Sequence, residues 1–336
     1  MRLIKSQCQK RLVPKKESRA MDRDSPYYNQ VSLLIRMLPV VATEPVFALK
    51  GGTAINLFVR NFPRLSVDID LAYLPLEPRD EALANVRAAL QRITDLINVQ
   101  PLTRAVLQDQ KIDELRIVVT SPNATIKIEV SPVARGTLHQ PETMSVQPSV
   151  EDEFGYAEVQ VVSIPDLYGG KLCAAMDRQH PRDLFDVRML LEEGGISREI
   201  FVGFLTYVLS HPRPISEVMA PNWQSLDETF YKEFDGMTFK TVDLEDLVSV
   251  RPAMLMALQT HFTLQDRAFL LSFKQGNPDW SLFDFPEVAE LPAIRWKLQN
   301  IAKLAENQDK HAAQLFKLEA VLDEWQKLAS PKNGKS

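Results

Sequence analysis

The sequence has little cysteine: Cys8 and Cys173 are the only two in 336 residues. Two cysteines this far apart form neither a disulfide framework nor a zinc site. Long apolar runs are also missing, since VSLLIRMLPVVA is interrupted by Arg36 and Pro39 and falls short of the roughly 20 residues that span a bilayer. The N-terminus is basic but has no apolar signal-peptide segment. We therefore expect a cytoplasmic protein that does not interact with membranes.

The formal net charge is only −5, yet the basic residues are concentrated at the two ends. Residues 1–19 hold seven Lys and Arg against the single acid Glu17, and residues 293–336 hold eight against five acids. Basic ends on an acidic body are suited to contacting a polyanion such as RNA. The alternative interpretation is a solvated arm at one end and a charged surface helix at the other.

The apolar pattern predicts an α+β protein of about two domains. The expected strands are 46–49, 66–74, 114–120, 124–133 and 156–164, with amphipathic helices between them. From residue 196 onwards helical periodicity dominates, and 293–328 is predicted to form one long helix. We therefore expect a basic N-terminal arm at 1–25, a domain of strands and helices at 26–195, and a mostly helical C-terminal domain at 196–330.

Two aspartates stand one residue apart in the predicted strand SVDIDLAYL. Because successive side chains alternate between the faces of a strand, Asp68 and Asp70 point one way while Ile69 and Leu71 point the other. Like charges on one face destabilise a strand unless a cation, a shared proton or solvent neutralises them. Paired carboxylates suit Mg²⁺, which takes its other ligands from water and substrate phosphates. The alternative is a solvent-exposed edge strand.

A glycine pair precedes this strand, and an acid follows it on another strand. Gly51, Gly52 and Thr53 begin a predicted helix, where backbone N–H groups and a hydroxyl can meet a phosphate. The spacing is not that of a Walker P-loop, and most such turns are structural. Glu129 lies on the polar face of the strand IKIEV. It would complete a two-metal site or act as a base for an incoming hydroxyl, and the alternative is a surface ion pair.

A lysine and two aspartates occupy two consecutive predicted helices. Lys171 lies in IPDLYGGKLCAAMDR, and Asp183 and Asp186 share one face of RDLFDVRMLLEEGG. A lysine here would neutralise triphosphate charge, and an aspartate would orient the lysine or contact the nucleotide. The alternative is helix capping and surface pairing, because Asp183 lies in a first helical turn.

The order of these features is more distinctive than any one of them. GGTA, RLSVDIDL, the acid of IKIEV, the helix DLYGGKLCAA and the helix RDLFDV follow one another across residues 47–190. This order resembles that of the AbiEii/AbiGii toxin family, the nucleotidyltransferase toxins of type IV toxin–antitoxin and abortive-infection loci. The family is part of the DNA-polymerase-β-like nucleotidyltransferase superfamily. The resemblance implies a polymerase-β-like nucleotidyltransferase core, a mixed sheet flanked by helices, at 26–195.

The resemblance also implies a chemistry, the Mg²⁺-dependent transfer of a nucleotide from an NTP to an acceptor. In some relatives the acceptor is thought to be the 3′ end of tRNA. The residues implied to hold the metal are Asp68, Asp70 and Glu129. The residues implied to hold the nucleotide are Gly51, Gly52, Thr53, Lys171 and Asp186. Lys171 would also stabilise the leaving pyrophosphate, with Asp183 fixing either this lysine or the nucleotide.

A cognate antitoxin encoded nearby is the implied partner. Two alternatives remain open: a protein or small-molecule acceptor, and a module that binds GTP or another NTP without efficient transfer. Asp68, Asp70 and Glu129 are all present, which favours an enzyme, because a module that only binds tolerates the loss of such a triad.

Overall fold

The computed structural model describes residues 26–110 and 115–329, and the predicted basic arm at 1–25 lies outside them. The helices are α1 Pro26–Val41, α2 Gly51–Thr53, α3 Arg79–Asn98, α4 Pro148–Phe154, α5 Ile164–Asp177, α6 Pro181–Glu193, α7 Arg198–Ser210, α8 Ile215–Met219, α9 Asp227–Glu233, α10 Leu244–Gln259, α11 Leu264–Gln275, α12 Pro292–Ala305 and α13 Gln308–Ala329, and α2 continues as a π-helical segment, Ala54–Val59. The strands are β1 Phe47–Lys50, β2 Asp68–Tyr73, β3 Arg104–Gln108, β4 Arg116–Ser121, β5 Ala124–Val130, β6 Glu142–Ser145 and β7 Glu158–Val161. Among these described helices, none is both long and apolar enough to cross a membrane.

Within the described residues, the strands form one seven-stranded sheet in the order β3-β4-β5-β2-β1-β7-β6. Strand β2 lies at its centre, antiparallel to β1 and parallel to β5. This pairing sets Asp70 opposite Lys50 on one side and opposite Glu129 on the other. The expected α+β class, with a mixed sheet flanked by helices, is confirmed.

Helices α1 and α3 pack on one face of the sheet. The apolar residues of the central strands, such as Ile69 and Ile128, are fully buried there. Their polar neighbours Asp68, Asp70 and Glu129 therefore lie on the opposite face, because side chains alternate along each strand.

The helical region after residue 196 packs directly against the sheet domain. Helices α5 and α7 meet at two glycines: a Cβ on Gly169 would lie 2.4 Å from the carbonyl carbon of Gly203, and one on Gly203 would lie 2.2 Å from the carbonyl oxygen of Pro165. Only glycine allows backbones to approach this closely. One apolar core runs from α1 to α13, so a domain boundary at 196 stays a prediction.

The expected elements differ from the structure in four places. The edge strands β3 and β6 and the short helix α4 were not predicted. The single helix expected at 293–328 is wrong, since it is divided into α12 and α13. The side chain of Asn307 accepts a hydrogen bond from the backbone N–H of Lys310 at 3.0 Å and thereby begins a new helix.

The α5–α7 contact predicts a large effect for a small substitution. Gly203→Ala should lower the free energy of unfolding by about 1 to 3 kcal/mol or more, because the added methyl group overlaps the Pro165 carbonyl. Gly194→Ala is the matched control, since a Cβ there meets nothing within 4 Å, and it should change stability by no more than about 0.5 kcal/mol. Denaturant unfolding of both variants measures the difference. Equal stabilities would contradict the close contact.

Candidate active site

The two aspartates of β2 share one sheet face with the glutamate of β5. Asp68 and Asp70 are partly exposed, whereas Ile69 between them is fully buried. Glu129 is the direct partner of Asp70 in the parallel ladder, so the three carboxylates lie on the same face. The Thr53 hydroxyl donates a hydrogen bond to the backbone carbonyl of Asp68 and ties the start of β2 to helix α2.

Gly51 leaves room for the carboxylate of Asp70. Its φ of +75° is in the left-handed region, which favours glycine. A Cβ at this position would also lie 2.5 Å from Asp70 Oδ2. A side chain at Gly51 is therefore disfavoured by the backbone conformation and by the neighbouring carboxylate.

The Asp68 carboxylate is only partly balanced by a neighbouring cation. Burial raises the pKa of Asp68, and the negative charge of Asp70 raises it further. Arg182 opposes this rise, with its Nη1 at 4.0 Å from Asp68 Oδ2. A bound cation would offset the repulsion between the two carboxylates. Because carboxylate oxygens are hard ligands, a divalent cation suits this position.

The third carboxylate, that of Glu129, lies near an arginine of the neighbouring strand. Glu129 lies 3.6 Å from Arg116 Nη1, and its side chain is 40% exposed. Within residues 26–110 and 115–329, no three Asp, Glu, His or Cys side chains are gathered into a group that could hold a metal ion. The pair Asp68 and Asp70, beside the space at Gly51, fits a divalent cation, and Glu129 would join it by releasing Arg116.

A buried ion network fastens the segment before β2 to helix α6. Arg64 is 1% exposed, and its Nε and Nη2 donate to the two carboxylate oxygens of Asp186 at 2.8 and 2.6 Å. Asn56 donates to the same carboxylate at 3.0 Å. Gly52 is needed beside this pair, because a Cβ there would lie 2.7 Å from Arg64 Nη2. The glycine motif thus packs on the arginine that precedes the DIDL strand.

Lys171 extends the network to helix α5. Its Nζ lies 2.8 Å from Asp183 Oδ1 and 3.0 Å from Asp186 Oδ2. Arg178 Nε and Nη2 donate to Asp183 at 2.6 and 2.9 Å, while its side chain stays 64% exposed. Counting Arg64, three cations meet two carboxylates, so the network carries one excess positive charge.

The network keeps both of its carboxylates ionised. Burial alone would raise the pKa of Asp183 and of Asp186. The cation Lys171, with Arg178 beside Asp183 and Arg64 beside Asp186, outweighs burial and holds both pKa values below their usual range.

Two predicted site residues, Thr53 and Asp186, are placed differently from what we expected. Thr53 and Asp186 were predicted to contact the nucleotide, but both side chains are fully buried, with Thr53 bonded to β2 and Asp186 to Arg64. Asp183 is 1% exposed and contacts Lys171, which is one of the two roles implied for it. All three are positioned to hold other site residues, because their oxygens are already used within the protein.

Two cleft-lining cations, Lys50 and Arg178, were not predicted as site residues. Lys50 is half-buried beside Asp70, and within the described part of the chain its ammonium group makes no hydrogen bond or ion pair. Burial lowers the pKa of Lys50, Arg178 lowers it further and Asp70 opposes the change. The position of Lys50 directly before Gly51 could have indicated in the sequence that it belongs to the site. A half-buried cation without a bonded partner is suited to an anionic ligand.

Some of these residues, but not Asp68 or Glu129, line a cleft of about 550 Å³, a size typical of small-molecule sites. From the sheet, helix α5 and the residue after it, its lining includes Lys50, Gly51, Asp70, Lys171 and Arg178. From the region after residue 196, it includes Tyr207, Ser210, His211, Pro212 and Trp296. The predicted Gly51, Asp70 and Lys171 are thus brought to one cavity.

Comparison with known proteins decides the family. The sequence model described as nucleotidyl transferase AbiEii toxin, type IV TA system, matches residues 32–300, well over half of the chain. The chain belongs to this family. No curated protein matches it in sequence. Its fold is similar to that of MenT4, a nucleotidyltransferase toxin from Mycobacterium tuberculosis H37Rv, with a TM-score of 0.56 and 13% identity over 82% of this chain and 93% of that one.

Membership of the AbiEii family gives the protein its class. It is a nucleotidyltransferase toxin of a type IV toxin–antitoxin system, which implies an NTP substrate, a divalent metal and a cognate antitoxin. The predicted family, fold class and enzyme class are confirmed. The AbiEii match continues past residue 196 to residue 300, so most of the helical region belongs to the family as well.

The buried network predicts that this AbiEii protein depends strongly on one carboxylate. Asp186→Asn should lower the free energy of unfolding at pH 7 by about 3 to 5 kcal/mol, because buried Arg64 and Lys171 lose a counter-charge. Asp80→Asn is the control, since its side chain is 99% exposed, and it should stay within about 0.5 kcal/mol of the parent. Chemical denaturation measures both.

The same network predicts loss of stability in acid. Asp183 and Asp186 have folded pKa values below their unfolded values, so their stabilisation is present above the unfolded pKa of about 3.9 and is lost as the pH falls through the folded values. The free energy of unfolding should decline below about pH 5. The decline should be shallower in Asp186→Asn, and an identical slope would mean that other groups cause it.

Proposed function

We propose that this AbiEii toxin is a Mg²⁺-dependent transferase that moves a nucleotide from an NTP to the 3′ end of tRNA. The observation that carries the proposal is the meeting of opposite charges at one cleft, where Asp70 faces the cations Lys50, Lys171 and Arg178. Metal-binding carboxylates beside an excess of positive charge suit a substrate that is a metal–triphosphate complex.

The sheet face would hold the metal. Asp68 and Asp70 would be its ligands, with Glu129 as the third, and Gly51 leaves the space beside Asp70 open. When bound, the divalent cation would supply Lewis-acid polarisation of the α-phosphate and a lowered pKa for the acceptor hydroxyl. Thr53 holds the strand that carries these carboxylates.

The cations would hold the triphosphate. Lys50, Lys171 and Arg178 would bind its oxygens and stabilise the charge that develops on the departing pyrophosphate. Lys171 is already oriented for this task by two aspartates, so little reorganisation is needed. We expect the backbone N–H groups of Gly51 and Gly52 to add donors for a terminal phosphate.

The tRNA acceptor is the less direct part of the proposal. Transfer to the 3′ end would block translation, which suits a toxin. The basic residues of 1–19 and 293–336 supply charge for RNA phosphates. The following experiment distinguishes a tRNA acceptor from three alternatives: a protein acceptor, a small-molecule acceptor and NTP binding without transfer.

Incorporation of label tests the proposal directly. The purified protein is incubated with Mg²⁺, total cellular RNA and each of the four α-³²P NTPs in turn. We expect label in tRNA-sized RNA, with at least about a hundredfold loss in Asp70→Asn and full loss on chelation of the metal. Asp80→Asn is the matched control because its carboxylate is exposed and lies outside the cleft lining.

The other outcomes are equally informative. Label in protein would replace tRNA by a protein acceptor. No label with any NTP, while NTP binding is still measurable, would overturn the transferase proposal for these substrates. Melting temperatures of Asp70→Asn and the parent should be similar, which separates lost chemistry from lost folding.

Two glycines with the same backbone conformation provide a test of the metal site. Gly51 and Gly195 have φ of +75° and +74°, so alanine at either position should cost about 1 kcal/mol or more through the left-handed backbone. Only Gly51→Ala also displaces Asp70, because a Cβ at Gly195 meets nothing within 4 Å. We expect Gly51→Ala to lose most label transfer and Gly195→Ala to keep it. Similar losses in both would argue against the role of Gly51 at Asp70.

A further inference from the structure

The cleft has an aromatic part that phosphate chemistry does not use. Tyr207, His211 and Trp296 line it, and Trp296 is 46% exposed. A single exposed indole on an outer surface would need no explanation. This indole instead lines a concave site that also contains Asp70. An aromatic side chain available within a substrate cleft is suited to a flat ligand group.

Two adjacent sides of helix α5 line the cleft, one with cations and one next to the aromatic part. Lys171 and Arg178 are seven residues apart, so they lie on nearly the same side of the helix axis. Gly170 and Asp177 are also seven apart and are each rotated by about 100° from those cations. Both pairs contribute to the lining of the same cleft. The helix thus presents two adjacent stripes to one cleft.

The second stripe contacts the region after residue 196. A Cβ on Gly170 would lie 3.2 Å from ring atoms of Tyr207, so glycine lets this ring approach the helix. Asp177 Oδ2 lies 3.3 Å from His211 Nε2. Aromatic rings and a polar pair therefore stand one stripe away from the phosphate-binding cations.

Helix α12, which carries Trp296, is bonded to the segment 211–213 through the next residue, Lys297. Lys297 follows Trp296 on α12, and its Nζ donates to the carbonyl oxygens of His211, at 2.6 Å, and of Arg213. Arg213 in turn donates to Asp177 at 2.7 Å. The aromatic part is thus preformed, because α12, the segment 211–213 and α5 are joined by these bonds.

We propose that this part of the cleft binds the nucleobase of the NTP, with the Trp296 indole stacking on the base. The inference rests on the proposed function for the position of the triphosphate at Lys50, Lys171 and Arg178. A base has flat apolar faces, polar edges and a fixed tether to its phosphates. The cleft offers an aromatic face, the polar pair Asp177 and His211, and cations one helix stripe away.

Equilibrium binding with two probes tests the inference. The first probe is an α,β-methylene NTP of each base with Mg²⁺, and the second is inorganic triphosphate, which has no base. Trp296→Ala should weaken binding of the NTP analogue about tenfold or more and leave inorganic triphosphate unchanged, because loss of one base–aromatic stack has an effect of this size. Trp296→Phe should restore most of the affinity.

Phe316→Ala is the matched control. Its ring is 71% exposed on α13 and lies outside the cleft lining, so both probes should bind this variant as they bind the parent. Unchanged binding of the NTP analogues to Trp296→Ala would overturn the inference. Equal weakening of both probes would also overturn it, since the loss would not depend on the base.

The labelling experiment and the binding experiment fail in different ways. If the parent transfers no label but Trp296→Ala still binds NTP analogues more weakly, the transferase proposal fails and the base site stands. If the parent transfers label and Trp296→Ala has an unchanged KM for the NTP, the base site fails and the transferase proposal stands.

Discussion

The paired hydrogen bonds between Arg64 and Asp186 are the interaction on which the rest of the site depends. They join the segment before β2 to helix α6, and Lys171 joins the same carboxylate to helix α5. A complete buried ion pair adds little net stability, whereas an incomplete one is strongly destabilising. The network therefore acts mainly as a geometric constraint: it permits one arrangement of strand and helices, the one that sets Asp70 beside the cations of the cleft.

The parts of the fold that could be predicted from sequence are those stabilised by burial. The central strands alternate apolar and polar residues because one face packs under α1 and α3, and this period is visible in the sequence. The strands β3 and β6 form the two edges of the sheet. Ala105 is the one buried residue of β3, and β6 has none. Their stabilisation comes from backbone pairing, which leaves no pattern in side chains.

The site was predictable in its residue types but not in the role of each residue. The order of motifs predicted Gly51, Asp70 and Lys171 as site residues, and the fold brings these three to one cleft. The burial of Asp186 could not be inferred, because its partner Arg64 stands 122 positions earlier in the chain. Lys50 was missed for a related reason, since its importance comes from the strand that pairs beside it. Contacts across the fold, rather than local spacing, determine which of these charged residues line the cleft and which are buried beside it.

The close contact of Gly169 with Gly203 also limits how a substrate enters. Where two backbones touch without intervening side chains, the helices have no deformable layer along which to slide. The sheet side of the cleft, carried by α5, and the helical side, carried by α7, are thereby locked into one unit. This contact disfavours a sliding motion between the two sides of the cleft. The walls of the cleft are therefore in contact with each other before any ligand binds.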